Sequence, residues 1–186
     1  PATTDALQAA LNKWYELANT DNGDGTYTDT SSTANSVTEL DYNGNPITVK
    51  YFGNPNTWDV SGITNMSYLF INKTQTNHPD ISTWNVSNVT NMYSMFVNAA
   101  AFNGDISQWN VSSVKDMSFM FQYAVAFNQD IGKWNVSIVE NMSNMFQNAR
   151  AFNQDINTKE VTVNGTTYTA WNVSSVTDMS YMFNGA

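Results

Sequence analysis

Carboxylates in phase are the residues of this sequence best placed to do chemistry. Asp80, Asp105, Asp130 and Asp155 recur every 25 residues, each followed by Ile and, in the last three, preceded by Phe-Asn-x. If such copies stack, equal positions fall about one strand spacing, roughly 5 Å, apart. Four stacked carboxylates repel unless cations or backbone N–H groups compensate them. One reading is a calcium ladder. The other, preferred here because of the turn-like context, is that each Asp closes a turn by accepting backbone N–H bonds. A second acidic segment, Asn19 to Asp29, holds Asp21, Asn22 and Asp24 among glycines and superficially matches a calcium loop. In the EF-hand register Asp24 and Asn22 fit, but Thr20 stands at position one and Ser31 at position twelve, so a plain turn is the better reading. No metal or cofactor is therefore expected, with calcium the one candidate. His78 is the only histidine and there is no cysteine, so neither a histidine metal cluster, a Ser–His–Asp set nor thiol chemistry can be assembled. The triplets beginning at Asn85, Asn110, Asn135 and Asn172 have the glycosylation pattern. The first copy carries Asp59 instead, which fits a hydrogen-bonding turn residue better than an acceptor site. The chain is expected to be no enzyme.

These columns belong to a repeat. Trp58, Trp84, Trp109, Trp134 and Trp171 are separated by 26, 25, 25 and 37 residues, the last step being one unit plus an insertion of 12. Met66, Met92, Met117, Met142 and Met179 keep the same phase, as do Phe70, Phe96, Phe121, Phe146 and Phe183. Ile81, Ile106, Ile131, Ile156 and Phe102, Phe127, Phe152 complete the unit. Within it, Val114, Met117, Met120, Phe121 and Ala124 have the spacing of one apolar helix face. The preceding Ser61, Ser87, Ser112, Ser137 and Ser174 suit helix N-caps, and Ser137 with Glu140 reads as a capping box. The Phe-Asn-x-Asp-Ile half suits a short strand and turn. A strand-plus-helix unit of 25 residues cannot bury its face alone, and stacking supplies the core. The expected fold is thus an α/β solenoid of leucine-rich-repeat type with about five coils and Met, Phe and Trp in its core.

Residues 1–57 are expected to form an N-terminal cap. It contains a helix over 4–19, with Leu7, Ala10, Leu11, Trp14, Leu17 and Ala18 on one face and Thr4 or Asp5 as its cap, and a hairpin over about 37–52 turning at Asn43-Gly44. Residues 58–186 form the array, interrupted by a second hairpin at about 158–170 around Asn164-Gly165. The chain starts at Pro1 without methionine and stops in mid-repeat at Phe183-Asn-Gly-Ala. It reads as a piece of a parent protein with further repeats or domains.

The run Trp58-Asp-Val-Ser-Gly-Ile-Thr-Asn-Met-Ser-Tyr-Leu-Phe, repeated as Trp109-Asn-Val-Ser-Ser-Val-Lys-Asp-Met-Ser-Phe-Met-Phe, resembles the BspA-like repeats of bacterial surface proteins. The resemblance covers residues 51–186 and, more loosely, 5–20. It implies an exported, leucine-rich-repeat-like module, secreted or held on the cell surface, that acts in adhesion. It transfers no catalytic residue and names no ligand.

The charge is −9, with seven cations in 186 residues. That excludes the basic stripe needed for nucleic acid and for anionic membranes, and no apolar run approaches the roughly 18 residues of a membrane span. The expected partner is a protein or glycan on another cell or surface. Contact residues are sought where the repeat varies: Thr83, Gln108 and Lys133 beside the strand, Tyr68, Tyr93, Phe119 and Tyr181 off the core phase, and Tyr42 and Tyr168 on the hairpins. A Thr ladder for ice is not expected, since Thr83 is replaced by Gln108 and Lys133. The competing reading is a structural spacer in a large adhesin, with no ligand of its own.

Overall fold

Thr3 starts the helix that opens the chain: its Oγ1 accepts the Ala6 N–H at 3.2 Å, so the cap is one residue earlier than Thr4. Helix α1 (Thr4–Ala18) follows, with Asp5 in its positively polarised first turn. Leu7, Ala10, Leu11 and Tyr15 are buried and Trp14 is half-buried. The computed structural model describes residues 3–18, 36–40, 46–50 and 55–186. Strands β1 (Ser36–Leu40) and β2 (Pro46–Lys50) pair antiparallel, Ser36 opposite Lys50. The Asn43-Gly44 turn lies outside the described residues. Strands β3 (Lys159–Val163) and β4 (Thr166–Ala170) form the second hairpin. Asn164 and Gly165 at its tip have φ of 50° and 78°, as a two-residue type I′ turn requires.

The repeats themselves overturn the expected α/β solenoid of five strand-plus-helix coils. From Trp58 to Ala186, outside the second hairpin, there is no α-helix and no strand, only turns, irregular backbone and single-residue parallel bridges linking Asn65, Asn91, Asp116, Asn141 and Asp178. The apolar spacing that suggests a helix is met by a run of turns. Alternate N–H groups, such as those of Met66, Tyr68, Phe70 and Asn72, donate to carbonyls of the next repeat at 2.8–3.0 Å. The intervening ones, such as Leu69, Ile71 and Lys73, donate three residues back. Tyr68 and Asn72 have φ of 63° and 59°, and Ser94 and Asn98, Phe119 and Tyr123, and Asn144 and Asn148 repeat this pair. A left-handed residue every fourth position is incompatible with a right-handed helix and is the mark of type II turns.

Short polar side chains make these turns affordable. Asn65, Asn91, Asp116, Asn141 and Asp178 each accept the N–H two residues on, at 2.8–2.9 Å. The five serines read as helix N-caps are not caps. Ser61, Ser87, Ser112, Ser137 and Ser174 instead donate their N–H to Asp59, Asn85, Asn110, Asn135 and Asn172. No helix follows Ser137, and the Glu140 N–H goes to Lys115 O of the preceding repeat rather than into a capping box. The Phe-Asn-x-Asp-Ile half, expected to give a short strand and a turn, forms no strand: Phe102–Ile106 and Phe127–Ile131 are irregular, and the turn follows at 107–108 and 132–133.

What runs through the stack is an aromatic column. Phe70, Phe96, Phe121, Phe146 and Phe183 stack at centroid distances of 5.0–5.6 Å, with Phe102, Phe127 and Phe152 interleaved. Trp84, Trp109, Trp134 and Trp171 are buried, and each indole donates to a carbonyl of the preceding repeat: Pro55, Ile81, Ile106 and Ile131. Helix α1 lies against the first repeat. There Thr4 Oγ1 donates to Asn65 O at 2.7 Å and Gln8 Nε2 to Leu69 O at 3.0 Å. These two carbonyls correspond to Asn91 O and Met95 O, which in the next repeat accept backbone N–H groups.

Tyr15 joins this contact through a 2.7 Å hydrogen bond to His78 Nδ1. Burial pushes the His78 imidazole down to about 4 from its ordinary 6.5 and pushes the Tyr15 phenol up. The unfolded chain therefore binds the proton more readily than the folded one, and stability rises with pH across this window. We expect the Tm to fall between pH 6.5 and 4, and this contribution to be lost when His78 is replaced by Gln. A second fall, below about pH 4, belongs to Asp59, Asp80, Asp155 and Asp178, whose hydrogen bonds hold them below the usual carboxylate range. A melting series on both chains checks the two windows; equal slopes above pH 4 would remove His78 from the account.

Candidate functional site

The second hairpin folds back over the repeats. The Tyr168 hydroxyl, half-buried, donates to Lys133 O at 2.6 Å. Thr158 Oγ1 reaches Trp171 O at 2.8 Å, and the Trp171 N–H reaches Trp134 O. The hairpin thus leaves a cleft of about 270 Å³ between itself and the Trp109 and Trp134 repeats. Gln108, Lys133 and Tyr168, three of the residues singled out from the sequence, line it together. Ser107, Asn110, Asn135, Asn164 and Thr166 supply further polar groups, and Val111 and Val163 supply apolar surface.

The lining sets the available chemistry. No Asp, Glu or His lines the cleft; its titratable side chains are those of Lys133 and Tyr168. Asn110 and Asn135 use Oδ1 to hold the N–H groups of Ser112 and Ser137, each at 3.2 Å, which leaves their amide N–H groups as donors. Amide donors, hydroxyls, one ammonium and a tyrosine suit recognition of hydroxyls, carbonyls or one anionic group. Asn110, Asn135 and Asn164 escape a sequence reading because each also has the signature of a turn former.

The other candidates lie elsewhere. Tyr68, Tyr93 and Phe119 form an edge-to-face row across three repeats, with centroids 5.1 and 5.7 Å apart. Tyr68 is 47 % exposed, and the other two are half-buried. Tyr181 is 67 % exposed on the last repeat; in the repeat before, Asn144 takes its place. Thr83 is exposed, but its hydroxyl donates to Asn56 O at 2.7 Å and so joins repeat to cap. Tyr42, Asp21, Asn22 and Asp24 lie outside the described residues.

The Asp column is held by backbone. Asp80, Asp105, Asp130 and Asp155 accept the N–H groups of Ser82, Ser107, Gly132 and Asn157 at 2.9–3.0 Å. Asp155 also pairs with Lys159 at 2.7 Å. Gly132 is required at its place, because a Cβ there would run into the Asp155 carbonyl. Among the described residues, no three His, Asp or Glu side chains are grouped as a metal site would need, and no helix is long and apolar enough to cross a membrane.

The family described as Mycoplasma protein of unknown function, DUF285, matches residues 38–159 and 157–186. No curated protein and no solved structure matches.

Proposed function

The chain belongs to the DUF285 family, and from that premise we propose that it is a non-enzymatic interaction module, which contacts a protein or glycan partner through the cleft beneath the β3–β4 hairpin. The observation that carries this reading is the convergence of Gln108, Lys133 and Tyr168. They come from two repeats and an insertion, and the Tyr168–Lys133 hydrogen bond holds them around one cleft. A regular stack has no need of the insertion, since residues 125–149 make a complete unit without one. Insertions on a regular scaffold vary without disturbing the core and commonly carry contacts. The polar lining, with Lys133 as its one charged residue, favours a ligand rich in hydroxyl or amide groups, for which Tyr supplies contact area at low entropic cost. The resemblance of Trp58–Phe70 and Trp109–Phe121 to BspA-like surface repeats supports placing this module at the cell surface or in secretion.

The test is a screen of the whole chain against glycans and peptides, followed by variants. For a ligand so found, Gln108→Ala, Lys133→Ala and Tyr168→Ala should each weaken binding about 10-fold, the loss of one or two hydrogen bonds. Tyr68→Ala should leave it unchanged. A ligand lost with Tyr68 and indifferent to Tyr168 would move the site to the aromatic row. A silent screen would favour the spacer reading.

A further inference from the structure

The cleft beneath the β3–β4 hairpin keeps hydrogen-bonding capacity that the fold leaves unspent, and its larger part consists of donors. Asn110 Oδ1 accepts the N–H and the hydroxyl of Ser112, and Asn135 Oδ1 accepts the Ser137 N–H. The amide N–H groups of both have no acceptor among the described residues. Gln108 Nε2 donates to Ser107 Oγ at 3.1 Å and the Tyr168 hydroxyl donates to Lys133 O, so these two offer a ligand oxygen lone pairs. Lys133 adds an exposed ammonium. Other cations are spoken for: Lys13 and Lys159 pair with Glu16 and Asp155 at 2.9 and 2.7 Å, and Lys73 lies over the Tyr15 ring. Lys133 has no carboxylate partner among the described residues. Its acidic neighbours in the sequence, Asp105 and Asp130, accept the Ser107 and Gly132 N–H groups. Lys115 is also unpaired, but it does not line the cleft.

Resting on the reading of this cleft as the contact site, we propose that its ligand is an acidic saccharide. The anionic group of a sugar ring pairs with the Lys133 ammonium, and the ring hydroxyls accept from the Asn110 and Asn135 amides and donate to Gln108 Oε1 and the Tyr168 oxygen. A neutral ligand filling the cleft takes water from Lys133 and returns no counter-charge, which is unfavourable. A carboxylate or sulfate returns one and makes a charge-assisted hydrogen bond, about twice as strong as a neutral one. The chain as a whole, at −9, repels anions at long range, so the preference is local to the cleft. Size agrees: about 270 Å³ lies just under the roughly 300 Å³ at which small-ligand pockets begin, room for a sugar ring and its substituents. An acidic peptide fits less well. Peptides are held by main-chain pairing or by side-chain pockets, whereas the unspent groups here are side-chain amides and an ammonium, with Val111 and Val163 as the aliphatic lining.

The experiment titrates the whole chain with trigalacturonate, with its neutral methyl ester, with a sulfated galactotriose and with a short polyglutamate peptide. Trigalacturonate or the sulfated trimer should bind at least ~10-fold more tightly than the ester, the effect of one hydrogen bond to a charged group. Which of the two binds identifies the anion as carboxylate or sulfate. Lys133→Gln should remove that advantage and leave the ester unchanged, because Tyr168 holds the Lys133 backbone carbonyl and the hairpin stays in place. Lys133→Arg should retain the advantage, and Lys115→Gln should change nothing. Equal affinity for acid and ester, both weakened by Tyr168→Ala, would overturn the acidic class and leave the cleft as the contact site. Acid binding indifferent to Lys133→Gln and Tyr168→Ala alike would overturn the cleft together with it. The proposal is also overturned if the peptide binds and the saccharides do not, or if none of the probes binds.

Discussion

Trp109→Ala should lower the unfolding free energy by about 3–5 kcal/mol, the cost expected for emptying a large aromatic site in a packed core. Trp109 is 4 % exposed and leans on Phe96 at 6.4 Å, so its removal opens a hole beside the phenylalanine column. Its indole N–H also holds Ile81 O at 3.1 Å, which ties one repeat to the one before. That carbonyl keeps the Trp84 N–H as a second donor, so truncation does not orphan it. The loss is therefore chiefly burial and cavity. Trp109→Phe keeps much of the ring and drops the hydrogen bond, and should cost less. Phe119→Ala, on the half-exposed row, is the control at about 1 kcal/mol or below. Urea unfolding at constant m reads all three; equal costs for Trp109→Ala and Phe119→Ala would show that the tryptophan column does not hold the stack together.

Leu11→Ala should cost about 2–5 kcal/mol, the range for truncating a fully buried aliphatic side chain. Leu11 is 0 % exposed in α1, one turn after Leu7 and one before Tyr15, which are buried with it. A helix of 15 residues is marginal by itself in water, so α1 depends on this contact as much as the first repeat does. Loosening it also exposes Asn65 O and Leu69 O, the carbonyls that Thr4 and Gln8 cover. Glu16→Ala is the contrast, since its ion pair with Lys13 is on the surface and such pairs contribute little. A Leu11→Ala chain that melts with the parent would mean that α1 is not seated on the stack.

The composition has a structural reason in these turns. Charged residues are only 12 % of the chain, and Asn, Ser and Thr take their place because each repeat closes turns with side-chain oxygens. At three positions per unit an Asn or Asp accepts the N–H two residues on, as Asp80, Asn85 and Asn91 do. Hydroxyls add links between units: Ser113 and Ser175 donate to Ser87 O and Ser137 O. A longer charged side chain at these places would leave a backbone donor without a partner, which is costly wherever water is excluded.

Period and burial were legible in the sequence, because they depend on side-chain type alone. The 25-residue recurrence of Trp, Met and Phe marks the residues that leave water, and Val114, Met117, Met120, Phe121 and Ala124 are all fully buried. The two hairpins were legible at Asn-Gly, whose left-handed tolerance is a local property; the described one turns at Asn164-Gly165. Backbone conformation was not legible. The spacing of 3, 3, 1 and 3 places side chains on one side of a helix, but a succession of type II turns meets it equally well. What selects the turns is the neighbouring repeat, which supplies acceptors for every second N–H, together with Asx side chains that satisfy others. The same holds for the cleft. Gln108 and Lys133 stood out as variable positions and Tyr168 as an aromatic on an insertion, but only the folding back of β3–β4, fixed by one hydroxyl on Lys133 O, brings them together. Side-chain chemistry is a local property and can be read from a sequence; hydrogen-bond partners 25 residues away exist only once the chain has stacked.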